Sequence, residues 1–154
     1  MALDDDIALL EAVPTFALLG SEALRILAIG AEAQSVAGGA VLFYAGESGN
    51  AAYVVQQGSF RLLPATQRRT DREIILTAGA LLGELALISG STRPATAIAR
   101  EDSVVIRVPR TLFLKVLEGY PAAARTLRDT IAGRLDELTR DLMPVRSRLS
   151  EGES

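Results

Sequence analysis

The spacing of apolar residues along this 154-residue chain changes twice. Near the N-terminus the spacing is helical and predicts two short helices, Asp4–Glu11 and Ser21–Ile29, separated by Pro14. From Gln34 onward the apolar residues form short runs punctuated by glycine, a pattern typical of antiparallel strands. After Pro109 the helical spacing returns. The order of these patterns predicts a mainly-β domain flanked by helices.

Short apolar runs account for the strand prediction. They are Val41–Tyr44, Ala52–Val55, Phe60–Leu63, Ile74–Leu76, Ala95–Ala99 and Val104–Val108. Glycines lie between the runs, where turns require a positive φ or a close approach of the backbone. This spacing is typical of an antiparallel sandwich or barrel. The charged stretch 67–73, between two of the runs, predicts a solvated hairpin loop.

The residues after Pro109 predict two further helices. The first has one apolar face, formed by Leu112, Phe113, Val116 and Leu117. The second begins at Pro121, because proline suits the first position of a helix. Its apolar stripe consists of Leu127, Ile131, Leu135, Leu138 and Leu142. Pro144 is expected to end the helix, which gives a domain over residues 1–143 and a polar tail over residues 144–154.

Composition excludes several classes of function. The chain has no cysteine and no histidine, which removes disulfides, thiolate nucleophiles, the usual zinc ligands and histidine-based triads. Catalysis by carboxylates alone stays open on composition, but we predict no enzymatic activity, no metal and no cofactor. The net charge of -3 argues against a nucleic-acid surface, which needs clustered lysine and arginine, so no direct DNA binding is expected.

The N-terminal residues and the longest apolar runs bear on location. Residues 1–6 carry three acids where a secretory signal peptide would carry basic residues. No apolar run approaches the roughly 20 residues that a membrane-spanning helix requires. These features predict a cytoplasmic protein that does not contact a membrane.

One segment between two predicted strands carries the functional signal. It reads Gly83-Glu84-Leu85-Ala86-Leu87-Ile88 and is followed, after a short loop, by Arg93-Pro94-Ala95-Thr96. A glycine at a strand end, followed by a helical turn, leaves backbone N–H groups directed at one spot, which favours an anion. An arginine over the same spot adds a fork of donors that suits two phosphate oxygens. Glu84 would be repelled by that phosphate and is better suited to a sugar hydroxyl. Nucleotides offer both groups.

This segment resembles the phosphate-binding cassette of the cyclic nucleotide-binding family, with its Gly-Glu-Leu-Ala-Leu and with arginine ten and threonine thirteen positions after the glycine. The family includes the bacterial catabolite activator, the regulatory subunits of cAMP-dependent kinase and cyclic nucleotide-gated channels. Upstream, Gly39–Gly46 and Gly49–Gly58 resemble its glycine-marked strands and turns. The resemblance implies an antiparallel jelly roll, or double-stranded β-helix, with short N-terminal helices and C-terminal helices.

The resemblance also implies roles for individual residues. Glu84 binds the ribose 2′-hydroxyl and Arg93 pairs with the cyclic phosphate, while backbone groups complete the phosphate cradle. The implied ligand-binding residues are Gly83, Glu84, Leu85, Ala86, Arg93, Ala95 and Thr96. The alternative for Glu84 and Arg93 is a salt bridge within a loop, which contributes little at an exposed site.

Pro94 departs from the family pattern, which usually has Ala, Ser or Thr directly after the arginine. Proline has no N–H to donate, and the loss of one donor to a buried charged oxygen costs about 1–3 kcal/mol, or roughly 5- to 150-fold in affinity. A hydroxyl at this position is associated in the family with guanine recognition. Its replacement by Pro94 therefore favours cAMP over cGMP as the ligand.

The C-terminal stripe Leu127–Leu142 must be covered, either by the domain's own barrel or by a second copy in a homodimer. In the catabolite activator the corresponding helix forms the dimer seam and covers the purine, and Thr139 falls where a polar contact to the base would lie. That activator continues into a helix-turn-helix domain, whereas this sequence ends at Ser154, so we expect a sensor acting through an unknown partner or a fragment of a longer protein. The alternative function is a ligand-free jelly roll that serves as a dimerisation module, which Pro94 supports.

Overall fold

The computed structural model describes residues 2–64, 74–88, 90, 92–130 and 132–133. The chain begins with three helices, α1 (Ala2–Glu11), α2 (Pro14–Ala17) and α3 (Ser21–Gly30). The two predicted N-terminal helices are confirmed, and between them lies a short third helix that the sequence analysis did not predict. Pro14 is the first residue of α2, because its fixed φ suits the first turn of a helix and its missing N–H is not needed there.

Eight strands lie in the described part of the chain. They are β1 (Glu32–Val36), β2 (Val41–Phe43), β3 (Ala51–Gln57), β4 (Ser59–Pro64), β5 (Ile74–Thr77), β6 (Leu81–Leu82), β7 (Ala95–Ala99) and β8 (Ser103–Pro109). They form two antiparallel four-stranded sheets, β1-β8-β3-β6 and β2-β7-β4-β5. The mainly-β jelly-roll prediction is thereby confirmed, and each of the six apolar runs coincides with a strand.

Two strands escaped the sequence analysis for physical reasons. Strand β1 is polar and mostly exposed, with only Val36 buried among its five residues, so it shows no apolar run. Strand β6 has two residues, too few to establish an alternating pattern. The predicted hairpin loop 67–73 lies outside the described residues.

Three helical segments follow the first six strands. Helix α4 (Glu84–Ile88) connects β6 to the loop before β7, and α5 (Arg110–Gly119) follows β8. Residues 121–130 and 132–133 are also helical, which confirms the predicted start of the last helix at Pro121. Of the predicted apolar stripe, Leu127 is buried. The rest of the stripe, Thr139 and Pro144 lie outside the described residues. No helix in the described ranges has the length and apolar character needed to cross a bilayer.

The core is divided into two clusters by strand β3, whose first five residues are all buried. Successive side chains of a strand point to opposite faces, and Ala52 and Val54 accordingly pack with the helices. Ala51, Tyr53 and Val55 pack inside the barrel. Strand β3 therefore joins the helical layer to the barrel interior, beside the site described next.

Candidate functional site

A cavity of about 130 Å³ opens beside the turn from β6 to α4 and the start of β7, and it measures about 500 Å³ when its solvent-open mouth is included. The larger value falls within the range of small-molecule pockets, roughly 300–1,000 Å³. The cavity walls are mainly apolar, with a few polar groups among them. The lining residues are Phe43, Leu62, Leu81, Leu82, Gly83, Glu84, Ala86, Thr92, Arg93, Pro94 and Ala95.

Gly83 shapes the wall of this cavity. Its φ of +79° lies in the left-handed region, and a Cβ at this position would overlap Nη1 of Arg93. Only glycine lets the backbone take this conformation without strain and lets the guanidinium lie against it. The structure therefore places the Arg93 guanidinium directly against the Gly83 backbone.

Arg93 is buried, with 5% of its surface exposed. Its guanidinium carbon lies 4.2 Å from the centroid of the Phe43 ring and 5.8 Å from that of Tyr53, within the reach of cation–π attraction. Among the described residues, Nε and Nη1 of Arg93 have no hydrogen-bond partner. The guanidinium therefore lies beside Gly83 and over two aromatic rings.

Burial disfavours the charged form of Arg93. Desolvation by burial lowers its pKa; Tyr53 and Glu47 raise it, and Arg107 lowers it further. A lowered pKa means that the folded protein stabilises the charged form less than the unfolded chain does, at every pH where the group is charged. An anion in the cavity would oppose this cost by pairing with the guanidinium.

Backbone bonds fix the chain on both sides of this side chain. The Arg93 N–H donates to the Glu47 carbonyl, and the Gly46 N–H donates to the Arg93 carbonyl, each at 2.8 Å. Ser48 and Thr92 form an isolated antiparallel bridge next to them. The Gly46–Ser48 turn therefore anchors the backbone from which the Arg93 side chain enters the cavity wall.

Glu84, the first residue of α4, lies half-buried on the cavity wall. Its Oε2 accepts a hydrogen bond of 2.7 Å from Oγ1 of Thr15. Thr15 belongs to α2 and is 2% exposed. The structure therefore brings Glu84, Gly83 and Arg93 to one cavity and adds a partner from the N-terminal helices.

The other predicted site residues differ in their placement. Ala86 and Ala95 line the cavity, and the Ala86 N–H donates to the Gly83 carbonyl at 3.0 Å. Thr96 is not among the lining residues, and its Oγ1 accepts a 2.9 Å bond from the Ala45 N–H. Leu85 lies in the first turn of α4, and its side chain lies outside the described residues.

Several residues at the site were not predicted from the sequence. Phe43 and Tyr53 hold the guanidinium, Thr15 bonds to Glu84, and Leu62 and Thr92 line the cavity. Phe43 lies in a glycine-marked segment that suggested a strand and nothing more. Thr15 is 69 residues from Glu84, and a lone threonine beside a proline carries no signal for so distant a contact. Within the described ranges, no group of three His, Cys, Asp or Glu side chains could hold a metal ion.

Comparisons with known proteins extend the resemblance. The family model described as "Cyclic nucleotide-binding domain" matches residues 33–120. The Cyclic AMP receptor protein of Thermus thermophilus is 32% identical over 105 residues, which cover 68% of this chain and 49% of the relative. A cyclic nucleotide-gated potassium channel of Rhizobium etli is 34% identical over 126 residues, covering 82% of this chain and 34% of the channel. The chain thus spans about half or less of the length of these relatives.

A solved structure supports the same fold. The cyclic nucleotide-binding-like protein from Brucella abortus is 39% identical and superposes with a TM-score of 0.64. The match covers 75% of this chain and 99% of that one. These matches are to binding and regulatory domains, in agreement with the cassette identified between β6 and β7.

Proposed function

The chain belongs to the cyclic nucleotide-binding domain family, and from that premise we propose that it binds a cyclic purine nucleotide, cAMP in preference to cGMP, and signals through its C-terminal helices. The family resemblance drawn from the cassette is confirmed by the match over residues 33–120. The ligand, its base and the output remain the proposal.

The observation that carries the proposal is the state of Arg93. A buried guanidinium whose Nε and Nη1 are without partners in the described part of the chain costs free energy unless an anion enters the site. The cyclic phosphate has one negative charge shared by two exocyclic oxygens, which match the guanidinium fork. The two donors without partners argue against the alternative of a ligand-free dimerisation module, because in such a module the cost of burying the charge would not be offset.

The remaining roles follow from the cavity walls. Glu84 accepts a hydrogen bond from the ribose 2′-hydroxyl, and Gly83 lets Arg93 approach the phosphate. Backbone groups near Leu85, Ala86 and Ala95 surround the phosphate. The Ala86 N–H already bonds to a carbonyl, so any bond from it to the phosphate must share or replace that one. Thr96 supports the site indirectly, by fixing the loop at Ala45.

The preference for cAMP rests on Pro94, which is exposed and lines the cavity. Proline offers neither an N–H nor a hydroxyl at the position directly after Arg93. A guanine-specific hydroxyl contact at that position is therefore absent from the proposed site. The match to a protein named Cyclic AMP receptor protein agrees with this choice.

In this proposal, ligand binding is transmitted from the cavity to the C-terminal helices by α4. Leu87 of α4 and Phe113 of α5 are both buried, and together with Leu127 they line a second cavity of about 230 Å³. A ligand that binds one arrangement of α4 more tightly than another shifts the neighbouring helices accordingly. No enzymatic step, metal or DNA contact is part of this proposal, and the downstream partner is a protein in the cytoplasm.

We expect isothermal titration with cAMP to show saturable binding by the wild type. Arg93→Ala removes the only group proposed to pair with the phosphate charge and is expected to lower the affinity at least about 100-fold. Arg100→Ala is the matched control, because Arg100 is exposed and its backbone N–H keeps its bond to the Ser59 carbonyl. Equal affinities for wild type and Arg93→Ala would discard the site.

Dimerisation through the stripe Leu127–Leu142 is the second part of the proposal, although most of the stripe lies outside the described residues. Two acidic substitutions on one apolar face are expected to prevent association, because each buries a charge without a partner. Sedimentation velocity should report a dimer for the wild type and a monomer for Ile131→Glu with Leu138→Glu. A wild type that remains monomeric at high concentration contradicts the dimer.

A further inference from the structure

The hydrogen bond between Thr15 and Glu84 connects the ligand cavity to the N-terminal helices. Thr15 Oγ1 donates to Glu84 Oε2 at 2.7 Å. A hydroxyl that donates to a carboxylate forms a charge-assisted bond, which is shorter and stronger than a bond between neutral groups. Thr15 is 2% exposed, so the bond is shielded from competing water on the threonine side.

The position of Thr15 is fixed by its neighbours. Pro14 starts α2 and sets its first φ angle. Phe16 is fully buried, and its ring centroid lies 6.1 Å from that of Phe113 on α5. The Ala17 N–H closes the turn by donating to the Val13 carbonyl at 2.9 Å. The hydroxyl therefore approaches Glu84 from a backbone that is anchored on both sides.

A carboxylate has about four lone-pair sites, so the Glu84 carboxylate can accept from more than one donor, Thr15 among them. The bond from Thr15 also restricts the rotation of the carboxyl group, whose side chain forms part of the cavity wall. Ordering of this kind lowers the entropy that must be lost when a ligand hydroxyl binds.

We infer that Thr15 is a positioning residue for ligand recognition: its hydroxyl orients the Glu84 carboxylate toward the ligand's sugar hydroxyl and so sets the discrimination between nucleotides with and without that group. The inference rests on the proposed function and deepens it. It predicts that Thr15 affects binding through one group of the ligand, whereas a purely structural residue would affect all ligands alike.

The test is a titration of two probes, cAMP and 2′-deoxy-cAMP, against the whole chain. The measured quantity is the dissociation constant of 2′-deoxy-cAMP divided by that of cAMP. We expect this ratio to be about tenfold or more for the wild type, because the loss of a hydrogen bond to a charged acceptor lowers the affinity by about that factor. Thr15→Val replaces the hydroxyl by a methyl of similar size. It is expected to reduce that ratio about tenfold while changing the affinity for 2′-deoxy-cAMP less than about twofold.

Controls separate this role from folding. Thr15→Ser keeps the donor and is expected to restore the wild-type ratio. Thr126→Val removes an exposed hydroxyl that donates to the Ala122 carbonyl of its own helix at 3.1 Å, and is expected to leave both affinities unchanged. If Thr15→Val does not fold, Thr15→Ala removes the same hydroxyl with a smaller side chain and gives the same readout.

The outcomes distinguish the two proposals. A Thr15→Val protein that keeps the wild-type ratio, or that weakens both probes equally, overturns the role of Thr15 and leaves nucleotide binding intact. A wild type that binds neither probe overturns the proposed function and the inference with it.

Discussion

In two regions of the barrel, a glycine with a positive φ lies beside a buried polar side chain. The regions differ in whether that side chain has hydrogen-bond partners among the described residues. Gly58 and Gly83 both have positive φ angles, +89° and +79°. At each, a Cβ would overlap a polar atom of a buried side chain, Ser103 Oγ at Gly58 and Arg93 Nη1 at Gly83. In both regions only glycine leaves enough space for the polar side chain beside it.

At Gly58 the polar groups bond to one another. Ser59 Oγ donates to Glu101 Oε2 at 2.7 Å, and Ser103 Oγ donates to the Glu101 carbonyl at 2.8 Å. The Ser59 N–H in turn donates to Ser103 Oγ at 3.2 Å. Buried polar groups that are satisfied in this way stabilise and specify the fold. This region holds the β3–β4 turn against the start of β8.

At Gly83 the guanidinium of Arg93 stacks on Phe43, but its Nε and Nη1 have no partner within the described residues. A buried donor without an acceptor costs about 1–3 kcal/mol, and more when it is charged. The two regions thus differ in whether their buried polar groups are satisfied, and we propose that the open one at Gly83 is completed by an anionic ligand.

The largest expected difference between the two regions is in cAMP affinity, when the glycine of each is replaced by alanine. Gly83→Ala displaces the guanidinium and is expected to lower cAMP affinity at least about 100-fold, with a loss of stability of about 1–2 kcal/mol from the positive φ. In Gly58→Ala the new Cβ would also lie 2.9 Å from the Ser103 Cα. Backbone yields less than a side-chain end, so this variant is expected to lose about 3 kcal/mol and to keep its affinity within about twofold.

Gly79→Ala serves as the control for strain. Gly79 has a φ of +92° and no heavy atom within 4 Å of a built Cβ, so its substitution tests the backbone cost alone. Urea denaturation measures the stabilities, and titration with cAMP at a temperature where every variant is folded measures the affinities. Equal losses of affinity at Gly58 and Gly83 would show that the two regions do not differ as described.

The convergence of Gly83 and Arg93 was predictable because the chemistry is local. The two residues are ten positions apart, and a glycine at a strand end with an arginine after one helical turn already indicates an anion site. The same holds for the six apolar strands, since alternation and glycine spacing are short-range patterns. The structure confirms these strands, and it places Gly83 and Arg93 side by side.

Contacts between distant segments could not be predicted in this way. The stacking of Arg93 on Phe43 depends on the pairing of β2 with β7, whose register shifts between Val41 and Phe43, and a register shift leaves no mark in a single sequence. The bond from Thr15 depends on how α2 packs among the other helices, where its Phe16 lies against Phe113 of α5. Both contacts require tertiary structure that propensity and periodicity do not encode.

Removing the buried polar group is expected to change the stability of the ligand-free protein by a smaller amount, and with opposite sign in the two regions. Ser103→Ala removes the acceptor of the Ser59 N–H and is expected to destabilise the protein by about 1–3 kcal/mol. Arg93→Met replaces an unpaired charge by an apolar chain of similar length. Cation–π attraction to Phe43 offsets the burial cost by about 2 kcal/mol at most, whereas the burial of a charge costs several kcal/mol.

The Arg93→Met protein is therefore expected to be about 1 kcal/mol more stable than the wild type without ligand, a rise of roughly 2–4 °C in Tm. Saturating cAMP should reverse the order, because at 100 times its dissociation constant a ligand stabilises the wild type by about 2.7 kcal/mol and leaves the variant unchanged. Thermal denaturation with and without cAMP measures both differences. If Arg93→Met instead loses as much stability as Ser103→Ala, then Arg93 contributes to folding as Ser103 does, and its unpaired donors are no sign of a ligand.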